Sequence, residues 1–427
     1  MGRIAFYLDT RNIRTIDVRD VDAGNPGMGG TEYMFFLIAA KLARTHDVTM
    51  YVTALGAYPE GIRYCEVKAL AQITSELDTE DILILRESEV LPNLPLLKAM
   101  TSKVLVWAHN YSGHRTLKAC AQCPSIVRYL CVSREQYENL RDEDIFAKAD
   151  YIFNAIVTRN WPKPLAPSSE DNVFYMGSLI EAKGFHVLAQ QWPKIAQAVP
   201  TAHLHVVGTG QLYDRNAPLG PLGIASPDYE RRFTPFLTED CTLRKDVTFH
   251  GNIGADKLGL LSRAKVAVAN PTGIGETFCI TALEFGLLGV PVVTKKVGGP
   301  VNVVENGVSG LLYDHEDELA DAVIALLSDE HLCRTMGHAA SERMRALFDI
   351  EVVIAKWERV LREVQEGVPA SPDYLITGTG KRLKECNRKL RAFRFLRWLP
   401  SIDYWRHAWN KKKHSLFNKR LSKFTHA

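Results

Sequence analysis

Long apolar runs are missing from this 427-residue chain. Met1-Gly2-Arg3 leads straight into Ile4–Leu8, and Asp9 ends that run, so the opening lacks the apolar core of a secretory leader. No uncharged stretch reaches the ~20 residues that a membrane-crossing helix needs. The expected location is therefore the cytoplasm. Cysteine is sparse at eight residues, too few for a disulfide scaffold of this length. Cys120 and Cys123 form a lone C-x-x-C with Cys131 nearby. A zinc site needs ligands from a second such pair or from histidines, so reduced core thiols are expected. Also absent is a G-x-G-x-x-G directly after the first strand, where Asp9-Thr10-Arg11-Asn12 stands instead. That omission argues against an ordinary nicotinamide-dinucleotide site. Asp20-Val21-Asp22 and Asp142-Glu143-Asp144 spell D-x-D, but neither follows a convincing central strand, and no metal is expected.

What is present is an ordinary globular composition, 46% hydrophobic and 24% charged, long enough for two or three domains. Charge is unevenly placed. From Lys381 to Ala427 there are 15 Lys and Arg against Glu385 and Asp403, an excess of +13 in a chain of net +3, which leaves −10 for the rest. The tail is thus a separate electrostatic object.

Short runs rich in Val, Ile, Tyr and Phe alternate with helical patterns. The spacing predicts strands at Arg3–Leu8, Val48–Thr53, Ile82–Leu85, Lys103–Trp107, Arg128–Val132 and Asp150–Phe153. A helix over Thr31–Thr45 would put Phe35, Ile38, Ala39 and Leu42 on one face. Trp161–Ser169, with three prolines and two serines, is expected to be a linker. The alternation then restarts, with strands at Asn172–Met176, Ala202–Val207, Val247–His250, Lys265–Ala269 and Val290–Thr294. Helices are predicted at Glu316–Leu327, Asp329–Leu347 and Ile350–Val364. Strand–helix alternation of this kind favours parallel sheets with right-handed crossovers. Ligands then bind beyond the carboxyl ends of the strands. The expected domains are 1–165, 166–350, a crossover helix and linker at 351–370, and a basic aromatic tail at 371–427.

The richest stretch is Gly251–Leu312. A predicted strand runs into Asn270-Pro271-Thr272-Gly273-Ile274-Gly275-Glu276-Thr277-Phe278, then into a helix through Gly286. A glycine-bearing loop that opens a helix offers free N–H groups and a positive dipole end, both suited to phosphate. Glu276 stands at the junction and Glu284 eight residues on. One carboxylate can face a sugar while the other reaches a ribose, since carboxylates accept from vicinal hydroxyls. Against this stands the blander possibility of a helix-start acid and a solvated acid.

Gly275 to Glu284, followed by Gly289-Val290-Pro291-Val292-Val293, Gly298-Gly299 and Val304 to Leu312, resembles the E-x7-E region of retaining GT-B glycosyltransferases of family four, also called glycosyl transferases group 1. Tyr175 to Gly184, Val206-Val207-Gly208-Thr209-Gly210, Val247 to Gly251 and the helix-opening Gly29-Gly30-Thr31-Glu32 resemble it too. The resemblance spans roughly residues 1–365. It implies an α/β GT-B fold, two Rossmann-like domains facing a cleft. It also implies metal-independent transfer of a sugar, with retention, from a nucleoside-diphosphate sugar to a glycan or lipid-linked saccharide hydroxyl, as in surface polysaccharide biosynthesis.

The resemblance also assigns residues. Gly29 and Gly30 let backbone approach the diphosphate, and Lys183 is its lysine. Glu276 holds the donor sugar, Glu284 the ribose, and Gly251, Asn252 and Ile253 border the base. Gly208, Thr277, Phe278 and Cys279 complete the donor site, and His109 is the active-site histidine. No cofactor is implied beyond the co-substrate. One departure stands out: the family often has an arginine where this chain has Ser178, and a hydroxyl does not supply that charge. A catalytically weak binding subunit, or an epimerase or phosphorylase on the same fold, are the alternatives.

In the tail, Arg391 to Leu399 alternates cations with large apolar groups, and Trp405, Trp409, Lys411-Lys412-Lys413, Phe417 and Phe424 follow. Residues 381–427 are expected to meet an anionic membrane surface, which suits a peripheral position on the inner face of the cell membrane. A partly disordered solubilising tail or a helix docked on the first domain are the competing readings, and nucleic acid is not the expected partner.

Overall fold

A computed structural model describes residues 2–164, 168–212, 214–240, 242–254, 257–371, 379–393, 396 and 399–406. Seven parallel strands form the first sheet: β1 (Ile4–Leu8), β2 (Val48–Val52), β3 (Arg63–Glu66), β4 (Ile82–Arg86), β5 (Lys103–Ala108), β6 (Ile126–Cys131) and β7 (Ala149–Tyr151). Their order is β3-β2-β1-β4-β5-β6-β7. The second sheet holds β8 (Asn172–Met176), β9 (His203–Val207), β12 (Val247–Gly251), β13 (Val266–Val268), β14 (Val292–Lys295) and β15 (Gly310–Tyr313), in the order β12-β9-β8-β13-β14-β15 and again parallel. Between β9 and β12 in sequence lies a small antiparallel pair, β10 (Thr238–Glu239) and β11 (Thr242–Leu243). Each large sheet reverses its strand order once, at β1/β4 and at β8/β13, which is where such sheets open a ligand crevice.

Most strands are buried on both faces, as in β1, β2 and β13, which is why their sequences are unbroken apolar runs and do not alternate. In the two large sheets, the strands that the sequence pattern misses, β3 and β15, are edge strands; the short β10–β11 pair is missed as well. The place of β3 and β15 is set by hydrogen bonds to one neighbour rather than by an apolar run.

The first long helix, Gly30–Leu42, departs from the expected single apolar face. Tyr33 through Ala39 are all buried. It packs on β1 and β2 on one side and on the Ile350–Gln365 helix on the other, so it has almost no solvent face. That last helix returns from the second domain to the first. Trp357 meets Trp107 edge-on at 4.8 Å, His46 Nε2 lies 2.6 Å from Glu358, and Lys103 donates to the Gln365 carbonyl.

The chain crosses between domains twice, at adjacent points. Ile156 and Asp349 form a bridge, with Ile156 N on Phe348 O at 3.0 Å and Ile350 N on Ile156 O at 2.9 Å. The proline-rich stretch expected as a linker begins pinned rather than loose. Trp161 is buried, and Arg345 donates to the carbonyls of Thr158, Trp161 and Pro162.

The tail helix, Thr379–Ala392, corrects the expectation for its cations. Lys381 pairs with Glu135 at 2.6 Å and Arg391 with Asp144 at 2.7 Å. Lys384 donates to Asn139 O and pairs with Asp403, while Asn387 reaches Asp142. Ile402 N also donates to Asp142, and Ser401 to Glu143. The Asp142-Glu143-Asp144 run is thus the dock for the tail. Lys381, Lys384 and Arg391 are spent on protein carboxylates and carbonyls, because short-range partners outcompete distant headgroups. Arg394, Phe395, Arg397, Trp398, Trp409, Lys411 to Lys413, Phe417 and Phe424 lie outside the described residues. No described helix is long and apolar enough to cross a membrane.

Candidate active site in the inter-domain cleft

A cleft of about 240 Å³ lies between the carboxyl ends of the two sheets. Glu276 and Lys183 stand at its centre. β13 ends at Val268, and Asn270 turns the chain at a positive φ of 37°. Its side chain holds the turn. Oδ1 accepts from Gly273 N at 3.1 Å, while Nδ2 donates to Glu276 Oε2 at 2.9 Å. Lys183 Nζ is 2.7 Å from the same oxygen. Burial pushes the Glu276 carboxyl up, but the Lys183 charge and the hydrogen bonds from Lys183, Asn270 and Cys279 N outweigh it and hold it below its ordinary value.

The helix that follows begins at Ile280, two residues past the Phe278 that ends the loop read from the sequence. Cys279 caps it in the left-handed region, at φ 79°, so Thr277 to Cys279 form a bent lip and not a first turn. Cys279 N donates to Glu276 Oε1 at 3.0 Å. The helix has no side-chain cap and no acid in its first turn. Its positive end faces the cleft through Phe278, Cys279, Ile280 and Thr281. Burial, then the Glu276 charge, push the Cys279 thiol up to about 12, so it stays protonated and unreactive near neutrality.

From the first domain, His109 follows β5 and lines the cleft. Its N–H donates to Glu87 and its carbonyl accepts from Thr277 Oγ1 at 2.6 Å, a direct tie between domains. Among the described residues its Nε2 has no hydrogen-bond partner. Burial, then the nearby Arg86 charge, hold the imidazole well below its usual range, so it is neutral. Gly30 faces the second-domain helix, and a Cβ there would stand 2.9 Å from Ile280 Cδ1. Gly208 sits at φ 132°, where a Cβ would fall 2.0 Å from the Gly177 carbonyl. Only glycine allows that approach.

Of the residues singled out in the sequence, His109, Lys183, Glu276, Gly30, Gly208, Asn252, Ile253, Thr277, Phe278, Cys279 and Glu284 line the cleft together. Gly29 and Gly251 stand one residue back from it, Gly29 as the cap of the first helix and Gly251 as acceptor of Gly208 N at 2.7 Å.

Glu284 is buried on the helix. Its Oε1 lies 2.6 Å from Lys257 Nζ, which also reaches Asn25 O of the first domain at 3.4 Å. Lys257 carries no sequence motif and was not foreseen, and neither were Asn270 and Tyr111, whose hydroxyl approaches Glu276 O at 3.5 Å. Ser178 is buried, and its hydroxyl donates to Thr209 O. Among the described residues lining the cleft, the charged groups are therefore two lysines and two glutamates, paired Lys183–Glu276 and Lys257–Glu284.

A sequence profile described as Glycosyl transferases group 1 matches residues 157–343. The chain carries a glycosyl transferases group 1 domain. This group 1 domain contains β8 to β15, Lys183, Glu276, Glu284 and Lys257. Similar curated proteins include a GDP-mannose-dependent alpha-(1-6)-phosphatidylinositol monomannoside mannosyltransferase of Mycobacterium tuberculosis. It is 28% identical over 202 residues, 44% of this chain and 47% of that protein. A D-inositol 3-phosphate glycosyltransferase of Corynebacterium urealyticum is 28% identical over 48% of this chain and 45% of its own. The chain thus spans about half the length of the curated relatives it matches.

Among solved structures, the Anabaena protein HepE in complex with UDP and glucose aligns with a TM-score of 0.64 at 16% identity. The match covers 85% of this chain and all of that one. Sucrose-phosphate synthase from Thermosynechococcus elongatus aligns at 0.65 and 19%, over 86% of this chain and all of that one. At such identities the likeness is one of fold, and the fold is GT-B.

Proposed function

We propose that the chain is a metal-independent glycosyltransferase. It moves a sugar from a nucleoside-diphosphate sugar to a hydroxyl of a glycan or lipid-linked saccharide, with retention, in the building of a surface polysaccharide. The observation that carries this reading is the Lys183–Glu276 pair, set at the open amino end of the Ile280–Leu287 helix inside the cleft. The pair is a resting arrangement. A diphosphate takes the lysine and the helix dipole, which frees the Glu276 carboxylate for sugar hydroxyls.

The second pair behaves alike. Ribose hydroxyls replace the ammonium on Glu284, and Lys257 becomes the second cation of the donor site, the charge that Ser178 does not supply. His109, neutral and with Nε2 unpartnered among the described residues, is a hydrogen-bonding partner for the transferred sugar and not a cation. Retention follows if the leaving phosphate oxygen takes the acceptor proton on the face it departs from. The protein then contributes alignment and charge stabilisation, and closing the cleft excludes water.

One relative is named for its dependence on GDP-mannose, while a structural neighbour holds UDP. A thermal-shift screen of UDP-, GDP- and ADP-sugars identifies the donor, since a ligand that binds only the folded state raises its melting temperature. Turnover against an acceptor panel follows. No shift with any of them overturns the reading. A shift without turnover favours a binding subunit, the outcome to which the missing arginine at Ser178 points.

A further inference from the structure

A docked helix ordinarily buries its apolar side and shows water its charges. The tail helix Thr379–Ala392 does the reverse. Lys384 and Glu385 are buried, and Lys381, Asn387 and Arg391 face the first domain through the ion pairs and hydrogen bonds described above. Outward stand Leu383 at 58% exposure and Leu390 at 46%, with Cys386 between them and Phe393 beyond at 56%. Their spacing of three, four and three residues makes one continuous stripe. Tyr404 and Trp405, the latter 56% exposed, add two exposed aromatics after the helix. Exposed Arg382 and Lys389 flank the stripe, and the sequence beyond adds Lys411 to Lys413, Lys419, Arg420 and Lys423.

We infer that this stripe seats on the surface of an anionic bilayer. Leu383, Leu390, Phe393 and Trp405 enter the headgroup boundary, and Arg382 and Lys389 meet the anionic headgroups. Charge selects this occupant. A second copy of the chain would bring two strongly positive tails together, which like-charge repulsion opposes. A nucleic-acid duplex would meet the cations through its phosphates but leave Leu383 and Leu390 without an apolar partner. The inference rests on the proposed reading of the cleft for its purpose, delivery of a lipid-linked acceptor. One short segment links the two regions: His109 lines the cleft, Tyr111 approaches Glu276, and five residues from His109 the His114 ring lies 4.9 Å from that of Tyr404.

The test uses the full chain, without nucleotide sugar, and vesicles of phosphatidylcholine with or without phosphatidylglycerol. The protein is expected to co-sediment with the anionic vesicles, less so as salt is raised. Leu383→Gln/Leu390→Gln is expected to weaken this at least about tenfold while the melting curve stays put, because both side chains are exposed. Trp405→Ala alone tests the aromatics after the helix. Three results overturn the inference: indifference of the wild type to anionic vesicles, equal binding by the double variant, or a wild-type dimer that the double variant turns into a monomer. None depends on the donor, so a failed donor screen leaves this result standing, and a failure here leaves the donor site standing.

Discussion

Lys183 and Glu276 share one hydrogen bond in the resting cleft, yet their loss should read out differently. On the proposed reading of the cleft, Lys183→Ala removes a charge that stabilises the departing diphosphate, and is expected to lower kcat by roughly 100-fold or more. Glu276→Gln keeps the shape but weakens the grip on sugar hydroxyls, so the larger loss falls on sugar-nucleotide binding relative to the bare nucleoside diphosphate. Steady-state kinetics beside calorimetric binding of both ligands separates these. Lys257→Gln is expected to cost about tenfold or more in nucleoside-diphosphate affinity, whereas Lys257→Arg retains most of it. Equal affinity in the Gln variant would remove Lys257 from the donor site.

The legibility of these residues differs for a physical reason. Glu276 announces itself because loop glycines, a helix start and an acid fall within a few neighbouring residues. Lys257 is 27 residues from its carboxylate, and its meaning exists only once β12 and the Ile280–Leu287 helix have been brought together.

At the scale of elements, the strand from Asn172 to Met176 and the helix from Ile350 onward follow directly from local apolar pattern. β3 and β15 do not, being edges that borrow their order from a neighbour. The buried collar of the Gly30–Leu42 helix was hidden for a related reason: its second face is covered by a helix more than 300 residues away in sequence.

Two elements make predictions. Gly184, at φ 74°, caps the turn that carries Lys183, and a Cβ there would stand 2.6 Å from Thr272 N. Gly184→Ala is expected to cost about 1–3 kcal/mol in chemical denaturation and to loosen Lys183 from Glu276. On β9 and β12, His205 Nδ1 lies 2.9 Å from His250 Nε2, with Asn172 on its other nitrogen and Phe174 stacked at 4.6 Å. Burial, then the His203, His250 and Arg263 charges, push His205 down to about 4, with Glu170 opposing. The unfolded chain takes up that proton near 6.5 and the folded one does not. Stability should therefore be level above about pH 7 and fall between roughly pH 6.5 and 4. Urea midpoints across that range check this, and His205→Asn should flatten the slope.

For the whole molecule, the alternating pattern and the glycine-led motifs disclose two sheets and one cleft. They do not disclose how the domains are tied, because the ties involve single atoms: Thr277 to the His109 carbonyl, Lys257 to Asn25, Arg215 to Thr15. The tail shows the same limit. Its charge was plain, but the acids that receive it look like any exposed D-x-D until the helix lies on them. Asp142→Asn/Asp144→Asn is expected to release the tail, seen as faster proteolytic trimming after residue 371 without a change in donor affinity.

Because both passages between the lobes meet at the Ile156–Asp349 bridge, the molecule has one pivot and not two rails. Rotation there leaves neighbours such as Arg345 and Thr158 nearly fixed, while remote pairs swing widest. Arg215→Ala, which removes the hydrogen bond to Thr15 across the far rim, should thus loosen that rim and speed exchange of a bound donor, read as a faster dissociation rate, without altering the chemistry at Glu276.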